Sequence, residues 1–497
     1  MKSSSSLLKP YTLVGAQALN SFSDHVCKIV ASGLVAATMP EHRAAVWVGI
    51  VSFLYIVPYI VLAPFFGKLT RKWSKSALVR FSYGLQLGAT GVIGVGAWIE
   101  SFGLMVAGLA GVAAQSGVLA PARNALMKDL VGDKRIGQFM GLLELAGISA
   151  TLAGLAMGGW SFDALWQWAG SPWNAVAYAA MGSMVFATIA LIAILGVRSD
   201  KDVLDTNSVF FGSIVKEIVA KPALRWTVLG LTWFYGAGVM IVMILMQHGR
   251  WEHGQNVGAA SDGGMLAATL GVGAALGSGV AALLCRRRIE IGWSFIGAIG
   301  MMVFLPLTSM AWEHDVWAKM GIFVSGFMAG LFSAPLNGLF VALSRDDARA
   351  STLAAGNLFM NLGCAAFVGL QVFLTRVLEW GPDAQLMLMG VMSVFVVIWM
   401  SYLVPESLIR VALLSVMKVV YPMKVRNLAR LPEKGGVLMI SNHVTFADAA
   451  ILYAASNRPV RFIGGPSSFK FPMIKWAYKR FNVINISSGK AKEAITK

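Results

Sequence analysis

The stretch GKLTRKWSKSALVR, residues 67–80, is a short basic segment between two long apolar ones. It holds five Lys and Arg residues and no acidic residue. The flanking apolar segments, 44–66 and 77–99, each match the roughly 20 residues that an α-helix needs to cross a bilayer. Loops on the cytoplasmic side of a membrane are enriched in Lys and Arg, so the stretch predicts two membrane spans and their orientation together.

The composition of the whole chain indicates a membrane protein with many spans. Of its 497 residues, 57% are hydrophobic and only 13% are charged, whereas soluble domains carry about 25% charged residues. The three cysteines are scattered and predict no disulfide framework. The N-terminus starts like a signal sequence, but its first helix carries Asp24, His25 and Lys28 and no small-residue cleavage pattern. We therefore expect it to be retained as a span.

Apolar segments long enough to span a membrane recur in two sets of six, so the predicted fold class is an all-α polytopic membrane protein. A long polar connection, 198–224, separates the sets, which is typical of a transporter built from two halves. The predicted spans are 11–37, 44–66, 77–99, 103–121, 136–158, 175–197, 225–247, 262–284, 291–311, 317–341, 353–375 and 384–404.

The distribution of Lys and Arg orients these spans. The loops that the spans place on one side hold 21 basic residues, counting Lys2 and Lys9, and the alternate loops hold four. The positive-inside rule assigns the basic side to the cytoplasm. Both chain termini are therefore predicted to be cytoplasmic.

The C-terminal segment 406–497 differs in charge from the rest of the chain, with a net charge of +11 against +6 for residues 1–405. A basic tail suits the anionic cytoplasmic membrane surface, where each basic residue contributes about 1 kcal/mol. Nucleic acid is the alternative partner, but the tail shows no nucleic-acid-binding motif, so we expect none.

The loop 67–80 resembles the G-x-L-x-D-R-x-G-R-K signature between helices 2 and 3 of the major facilitator superfamily. Gly67 and Leu69 fit the signature, whereas Arg71 stands where its aspartate is expected. The basic run CRRRIE, residues 285–290, lies at the equivalent place in the second half. The resemblance implies a 12-helix major facilitator fold with two pseudo-symmetric six-helix halves.

The predicted organisation follows from the spans and the tail. It comprises an N-terminal six-helix half at 1–197, a cytoplasmic central linker at 198–224, a C-terminal six-helix half at 225–405, a basic amphipathic membrane-surface segment at 406–432 and the start of an α/β acyltransferase domain at 433–497.

Charged residues inside the predicted spans mark a candidate transport path, because an ionised side chain near the bilayer centre costs at least about 2.5–3.5 kcal/mol. Asp24 and Lys28 lie four residues apart, so they share a helix face and can pair. Arg123 ends the fourth span, and Glu144 lies about three turns into the fifth. We expect these four residues to bind substrate. The alternatives are an ion pair that only joins helices, a positive-inside anchor at Arg123, and a packing role for His25.

The segment MISNHVTFADAAIL, residues 439–452, raises a second kind of chemistry. Asn442, His443 and Asp448 resemble the N-H-x-x-x-x-D signature of the glycerolipid acyltransferases. A neutral imidazole is a suitable general base for a hydroxyl that attacks a thioester, and a nearby carboxylate fixes its tautomer. His443 and Asp448 are therefore the predicted catalytic pair. The alternative is a surface loop in which Asp448 caps a helix.

Two departures from the acyltransferase pattern predict an incomplete domain. Ser488 stands where the family's second motif ends in a phosphate-binding arginine, and the third motif is absent before Lys497. We therefore expect this chain to transport but not to acylate.

Taken together, SDHVCK, APARNALMKDL, LLELAG and the fused tail resemble the bacterial lysophospholipid transporter family. The resemblance implies inward movement of lysophosphatidylethanolamine or lysophosphatidylglycerol across the inner membrane, then reacylation on the cytoplasmic side. It implies no bound cofactor, an acyl-carrier protein or other acyl donor for a complete acyltransferase, membrane lipids as neighbours, and a downstream acyltransferase and acyl-carrier-protein-ligase portion. Coupling to Na⁺ or H⁺ is left open. The alternatives are a facilitator that exports drugs or other amphiphiles, and an acyltransferase whose spans serve only as a scaffold.

The first prediction concerns the proposed division between transport and acylation. In a protein that carries the complete acyltransferase domain, His443→Ala removes the general base, so acyl transfer should be lost while lipid flipping continues. Both activities are measured on the same vesicles with labelled lysolipid. Loss of transport as severe as that of an Asp24→Ala variant would mean that the two activities share one site.

Overall fold

The structure of the chain is a computed structural model. It describes residues 2–38, 61, 65, 69, 72–199, 211–253, 259–286, 289–403, 436–442, 447–456, 460–464 and 483–485. The chain divides into two compact units. The first unit comprises Met1–Ile289 and Ile296–Val397, and the second comprises Glu290–Phe295 and Ile398–Lys497.

Long helices make up the described part of the first unit and continue into the second at 292–295 and 398–403. Eight of the described helices are long and apolar enough to cross a membrane. The helices are α1 Lys2–Thr38, α2 Lys75–Trp98, α3 Phe102–Ala169, α4 Pro172–Leu195, α5 Phe211–Ala220, α6 Pro222–His253, α7 Ala259–Leu284, α8 Gly292–Met310, α9 Asp315–Leu343, α10 Arg349–Arg376 and α11 Pro382–Leu403. All the predicted spans coincide with these helices except 44–66, which lies outside the described residues apart from two isolated positions.

The fourth and fifth predicted spans are two helices that meet at a kink at Gly132, with helical residues where a loop over 122–135 was expected. Helix α3 is 68 residues long, and its direction changes at Gly132, where φ is 68° and ψ is −176°. Glycine adopts this backbone conformation without the penalty that a Cβ would impose. The expected loop was wrong because its sequence, apart from Gly132, continues the helical turns on either side.

The basic loops meet at one end of the first unit. Lys9 Nζ donates to the carbonyl of Arg198 (3.0 Å), and Arg80 Nη2 donates to the carbonyl of Val197 (3.4 Å). Lys75 contacts Asp129 at this same end. We call it the basic end. It gathers segments that the charge count assigned to one side of the membrane.

A short helix occupies part of the predicted linker 198–224. Helix α5 buries Ile214 and Ile218, which lie one turn apart on the same face. Its Glu217 lies between Lys221 Nζ (2.6 Å) and Arg345 Nη1 (3.9 Å). Outside the membrane-spanning segments, the hydrogen bond from Arg345 to Asp347 raises the pKa of this guanidinium above its usual value, so it stays charged. The linker is therefore ordered against the start of the second half at this point.

Helices α7 and α9 cross at backbone contact. A Cβ added to Gly277 would lie 1.9 Å from the carbonyl oxygen of Phe327, and one added to Gly330 would lie 2.1 Å from that of Ala274. Gly273 and Gly326 repeat the arrangement one turn away on each helix. Small residues spaced by four allow membrane helices to approach closely, and this G-x-x-x-G pairing brings the side chains beside it into the protein interior.

The described part of the second unit holds one further helix and two short strands. Helix α12 spans Ala447–Ala455, and the strands β1 Ile463–Gly464 and β2 Ile484–Asn485 pair in parallel. The apolar run GVLMIS, residues 436–441, predicts a strand by its composition, but residues 436–442 have no regular secondary structure and Leu438 and Ile440 are exposed. Without a paired neighbour, an apolar run of this length does not form a ladder.

Because α7 and α9 are in backbone contact where they cross, the stability of the protein should fall when a crossing glycine gains a Cβ. Gly277→Ala should lower stability by about 2 kcal/mol or more, because backbone on the partner helix occupies the place of the methyl group. Gly238→Ala on α6 is the matched control, since nothing lies within 4 Å of its added Cβ. Thermal unfolding of detergent-purified protein measures both. Equal melting temperatures for the two variants would contradict the close crossing.

Candidate functional site

Asp24 is buried in a polar network within the N-half, residues 1–197. Its Oδ2 accepts hydrogen bonds from Asn20 Nδ2 (3.1 Å) on α1 and Ser116 Oγ (3.2 Å) on α3. Gln115 Nε2 donates to Asn20 Oδ1 (3.1 Å), and Gln86 on α2 also lies near the carboxyl group. Three helices therefore surround Asp24 with polar side chains, which the low-dielectric interior requires of a buried carboxyl group.

The neighbours of Asp24 on α1 face different surroundings. His25 packs between α1 and α3: its Nδ1 is 2.7 Å from the carbonyl oxygen of Ser21 and 3.4 Å from Thr151 Oγ1. Because a carbonyl can only accept, Nδ1 carries the proton in this arrangement. Lys28 is half-buried one turn beyond Asp24. Its pairing with Asp24 stays a prediction.

Glu144 contacts the C-half, residues 225–405. Ser278 Oγ on α7 (3.1 Å) and Ser333 Oγ on α9 (2.9 Å) donate to its Oε2, and Asn337 Nδ2 donates to its Oε1. Ser278 directly follows Gly277 in the α7–α9 crossing. All three donors belong to the C-half, so this carboxyl group joins the two halves.

Two tyrosines lie near Arg123, whose Nε donates to Asn124 Oδ1 (3.1 Å). The phenol of Tyr83 on α2 interacts electrostatically with Arg123 and Asp24. The phenol of Tyr235 on α6 interacts with Arg123 and Glu144. Tyr235 is 38% exposed. The structure thus brings Asp24, Arg123 and Glu144 into one region.

A chain of ion pairs joins the halves at the basic end. Asp129 on α3 receives Lys75 Nζ at Oδ2 (2.6 Å) and Arg349 Nη1 at Oδ1 (2.7 Å). Arg349 begins α10 in the C-half, is only 2% exposed, and also pairs with Asp346. A buried arginine held by carboxylates from both halves closes this end of the interface.

Of the two predicted acyltransferase residues, His443 and Asp448, the structure describes only Asp448. His443 lies outside the described residues, and Asp448 is the second residue of α12, partly exposed in the helix's first turn. Among the described residues, no three His, Cys, Asp or Glu side chains form a group that could hold a metal ion.

Comparison with known proteins decides the family. Residues 17–368 match the model of the Major Facilitator Superfamily. The chain belongs to this superfamily. Residues 422–497 of this facilitator match the acyltransferase family model.

The facilitator is similar to several curated transporters. It is 26% identical over 341 residues to "Lysophospholipid transporter LplT" of Photorhabdus laumondii, covering 66% of this chain and 79% of that protein. It is 25% identical over 379 residues to the protein of the same name in Serratia proteamaculans, covering 73% and 88%.

Solved structures share the fold of the facilitator at low sequence identity. The fucose transporter FucP in the outward conformation matches with a TM-score of 0.65 and 13% identity, covering 80% of this chain and 99% of that one. A bacterial homologue of ferroportin in its outward-facing state matches with a TM-score of 0.61 and 16% identity, covering 78% and 97%.

Sequence reasoning missed the contacts between the halves of the facilitator. It counted Lys75 and Arg349 only as topology signals and gave Asp129 no role. The signal that could have found them is the acidic residue in ALMKDLVG, because a carboxylate among basic residues at a helix end indicates a partner. Tyr83 and Tyr235 carried no such signal, since single tyrosines in apolar spans are usually packing residues.

The ion pairs at the basic end predict a change in accessibility. Arg349→Gln removes a buried partner of Asp129, a loss of about 3 kcal/mol for the closed arrangement. Buried Cys285, which lies against Gly137 of the N-half, should then react about tenfold faster or more with a thiol reagent. The rate is measured in a variant whose only cysteine is Cys285.

Arg345→Gln is the control for this experiment, since Arg345 is half-exposed and its ion pairs contribute at most about 1 kcal/mol. Equal labelling rates for the Arg349 and Arg345 variants would show that Asp129 and Arg349 do not hold the basic end closed.

Proposed function

We propose that this facilitator moves lysophospholipids across a membrane. The observation that carries the proposal is the placement of two carboxyl groups and an arginine, Asp24, Glu144 and Arg123, in one region of the membrane-spanning body. Ionisable groups at such depth generally mark a transport path. The similarity to proteins named lysophospholipid transporter over most of their length supports the same substrate class.

The head group is the part of the substrate that needs these charges. A guanidinium or ammonium is a strong partner for a phosphodiester in a low-dielectric site, which assigns Arg123 or Lys28 to the phosphate. Asp24 or Glu144 then meets an ethanolamine amine or holds a basic side chain in position.

The topology belongs to the same proposal. Twelve spans with both termini in the cytoplasm follow from the charge bias, and the gathering of basic loops at one end is consistent with it. The protein then lies in a bacterial inner membrane and carries lysophosphatidylethanolamine or lysophosphatidylglycerol from the outer to the inner leaflet. The basic segment 406–432 holds the tail at that inner surface.

The acyltransferase match at 422–497 supports a coupled second step. In a complete acyltransferase domain, His443 acts as general base on the lysolipid hydroxyl and Asp448 orients it, with acyl groups from an acyl-carrier protein or another donor. A tethered domain meets the delivered lysolipid at raised effective concentration. An α/β fold for this domain, and a downstream ligase portion, belong to the proposal as well.

A leaflet-resolved assay tests the transport function. Proteoliposomes with labelled lysophosphatidylethanolamine in the outer leaflet should lose it from that leaflet when they contain this chain. Imposed Na⁺ and H⁺ gradients identify any coupling ion. A drug exporter would leave the lysolipid in place, and so would an acyltransferase whose spans are only a scaffold.

The candidate site predicts that Asp24→Ala impairs transport. Removing the carboxyl group should slow transport by about tenfold or more while folded protein stays in the membrane, because Asn20 and Ser116 lose the group that organises them. Asp163→Ala, an exposed carboxyl group on α3, is the control for the loss of one negative charge. Near-normal flipping by the Asp24 variant would exclude it from the path.

A further inference from the structure

Three aromatic side chains meet on the surface of the N-half. Trp98 ends α2, the helix that begins with Lys75 at the basic end, so the three lie at the opposite end. The Tyr178 ring on α4 is 6.4 Å from the Trp98 ring and 5.2 Å from the Trp168 ring on α3, measured between centroids. We call these three residues the aromatic cluster. It is accessible from outside the protein, since Trp98 is 62% and Trp168 is 70% exposed.

The rings of the aromatic cluster form corners that favour a cation. The plane of the Tyr178 ring is inclined by 89° to that of Trp98 and by 66° to that of Trp168. The face of an aromatic ring carries partial negative charge, and two rings at a steep angle turn two such faces toward one point. An ammonium group within about 6 Å of the ring centroids is attracted by both faces, as in the aromatic cages that bind choline and methyl-lysine.

The chain around the aromatic cluster contains no cation of its own. Residues 81–122 and 136–197, which include all three rings, hold no Lys or Arg. Trp226 at the start of α6 provides the contrast, because the guanidinium of Arg225 lies 4.8 Å from the centroid of its ring. There the protein supplies the cation that lies on the aromatic face. The segments of the aromatic cluster leave that role to a group from outside the chain.

A carboxylate lies close to the aromatic cluster along the chain. Glu100 follows Trp98 by two residues, in the turn between α2 and α3, and is exposed. Its φ is 55°, a conformation that is unfavourable for residues other than glycine. A negative charge near two aromatic faces adds to their attraction for an ammonium group.

The position of the aromatic cluster indicates where the ammonium group comes from. Helices α2 and α4 pack against α1 and α3 of the N-half. Their outward faces expose apolar side chains that lipid chains cover in a membrane, among them Val95 on α2 and Met181 and Val185 on α4. Trp and Tyr at the end of a membrane span lie at the level of the lipid head groups. The surrounding bilayer therefore brings its head groups to the aromatic cluster.

We infer that the aromatic cluster binds the ammonium head group of a diacyl phospholipid of the surrounding membrane, with Glu100 as the neighbouring carboxylate. Phosphatidylethanolamine has such a head group, whereas phosphatidylglycerol does not. The bound lipid stays on the surface of the N-half and is distinct from a substrate that crosses between the halves. The inference goes beyond the proposed function and does not depend on it. An ordinary interfacial belt of aromatic residues, by contrast, anchors helix ends without selecting a head-group charge.

Trp168→Leu tests the site, with Trp160→Leu as its matched control. Both tryptophans lie on α3 and are 70% exposed, but Trp160 lies outside the aromatic cluster. Binding of diacyl phosphatidylethanolamine and of diacyl phosphatidylglycerol to the detergent-purified chain is measured by titration in native mass spectrometry. Trp168→Leu should weaken phosphatidylethanolamine binding about threefold or more, because one ring face is lost, and leave phosphatidylglycerol binding unchanged. Trp160→Leu should change neither.

Glu100→Gln provides a second test that leaves all three rings in place. Glu379→Gln is its control, since Glu379 is also exposed and has a φ of 54° in the turn that follows α10. Loss of the Glu100 charge should weaken phosphatidylethanolamine binding about twofold or more. The same loss of charge at Glu379 should leave that binding unchanged.

Three results would overturn the inference. If Trp168→Leu weakens the binding of both lipids equally, or behaves like Trp160→Leu, the rings are an ordinary membrane anchor. If Trp168→Leu weakens only the binding of lysophosphatidylethanolamine, titrated in the same way, the rings hold a substrate rather than a lipid of the bilayer. Should Trp168→Leu fail to fold, equal phosphatidylethanolamine binding by Glu100→Gln and Glu379→Gln overturns the inference, and a loss confined to Glu100→Gln supports it.

Discussion

Glu144 belongs to the N-half of the facilitator, but its carboxyl group accepts hydrogen bonds from the C-half. The arrangement of the interface between the halves depends on these hydrogen bonds. A carboxyl group at this depth is costly unless donors surround it. Ser278, Ser333 and Asn337 supply them from two helices. Those helices deliver their side chains to one point only because α7 and α9 approach to backbone contact at the paired glycines. The hydrogen bonds that join the halves at Glu144 therefore depend on the glycines that let α7 and α9 approach closely.

The two buried carboxyl groups, Asp24 and Glu144, differ in which half of the protein supplies their hydrogen-bond donors. Asn20 and Ser116, which donate to Asp24, both belong to the N-half, so these hydrogen bonds stay intact when one half moves as a rigid body against the other. The donors to Glu144 come from the C-half and are lost in the same movement. Asp24 is therefore a fixed part of the site, whereas the surroundings of Glu144 depend on the conformation. That all four predicted residues bind substrate stays a prediction.

How much of the structure could be predicted from the sequence depends on how far apart along the chain the interacting residues lie. Hydropathy is read over a single helix, and so the spans and the gathering of Lys9, Arg80 and Arg198 at one end were predictable from local composition. The continuity of α3 through residues 122–131 was not, because helix ends depend on one residue, Gly132, whose backbone sets the turn. The donors to Glu144 lie more than 130 residues away, and Arg349 lies 220 residues from Asp129. No periodicity within a helix records such a pairing, and the lone acidic residue in ALMKDLVG indicates that a partner exists without indicating which residue it is.

The two contacts between the halves constrain any transport cycle. Asp129 with Arg349, and Glu144 with its three donors, lie on the same interface, so opening the basic end separates both. Each separation removes a partner from a buried or half-buried charge. Another interaction must therefore offset the free energy that opening costs. Water can solvate Arg349 and Asp129 at the end of the bundle, but Glu144 lies deeper. Under the function proposed here, the ammonium of an ethanolamine head group offers Glu144 donors in place of those it loses. A substrate that carries both charges then stabilises the opened arrangement, and an empty carrier stays closed at its basic end.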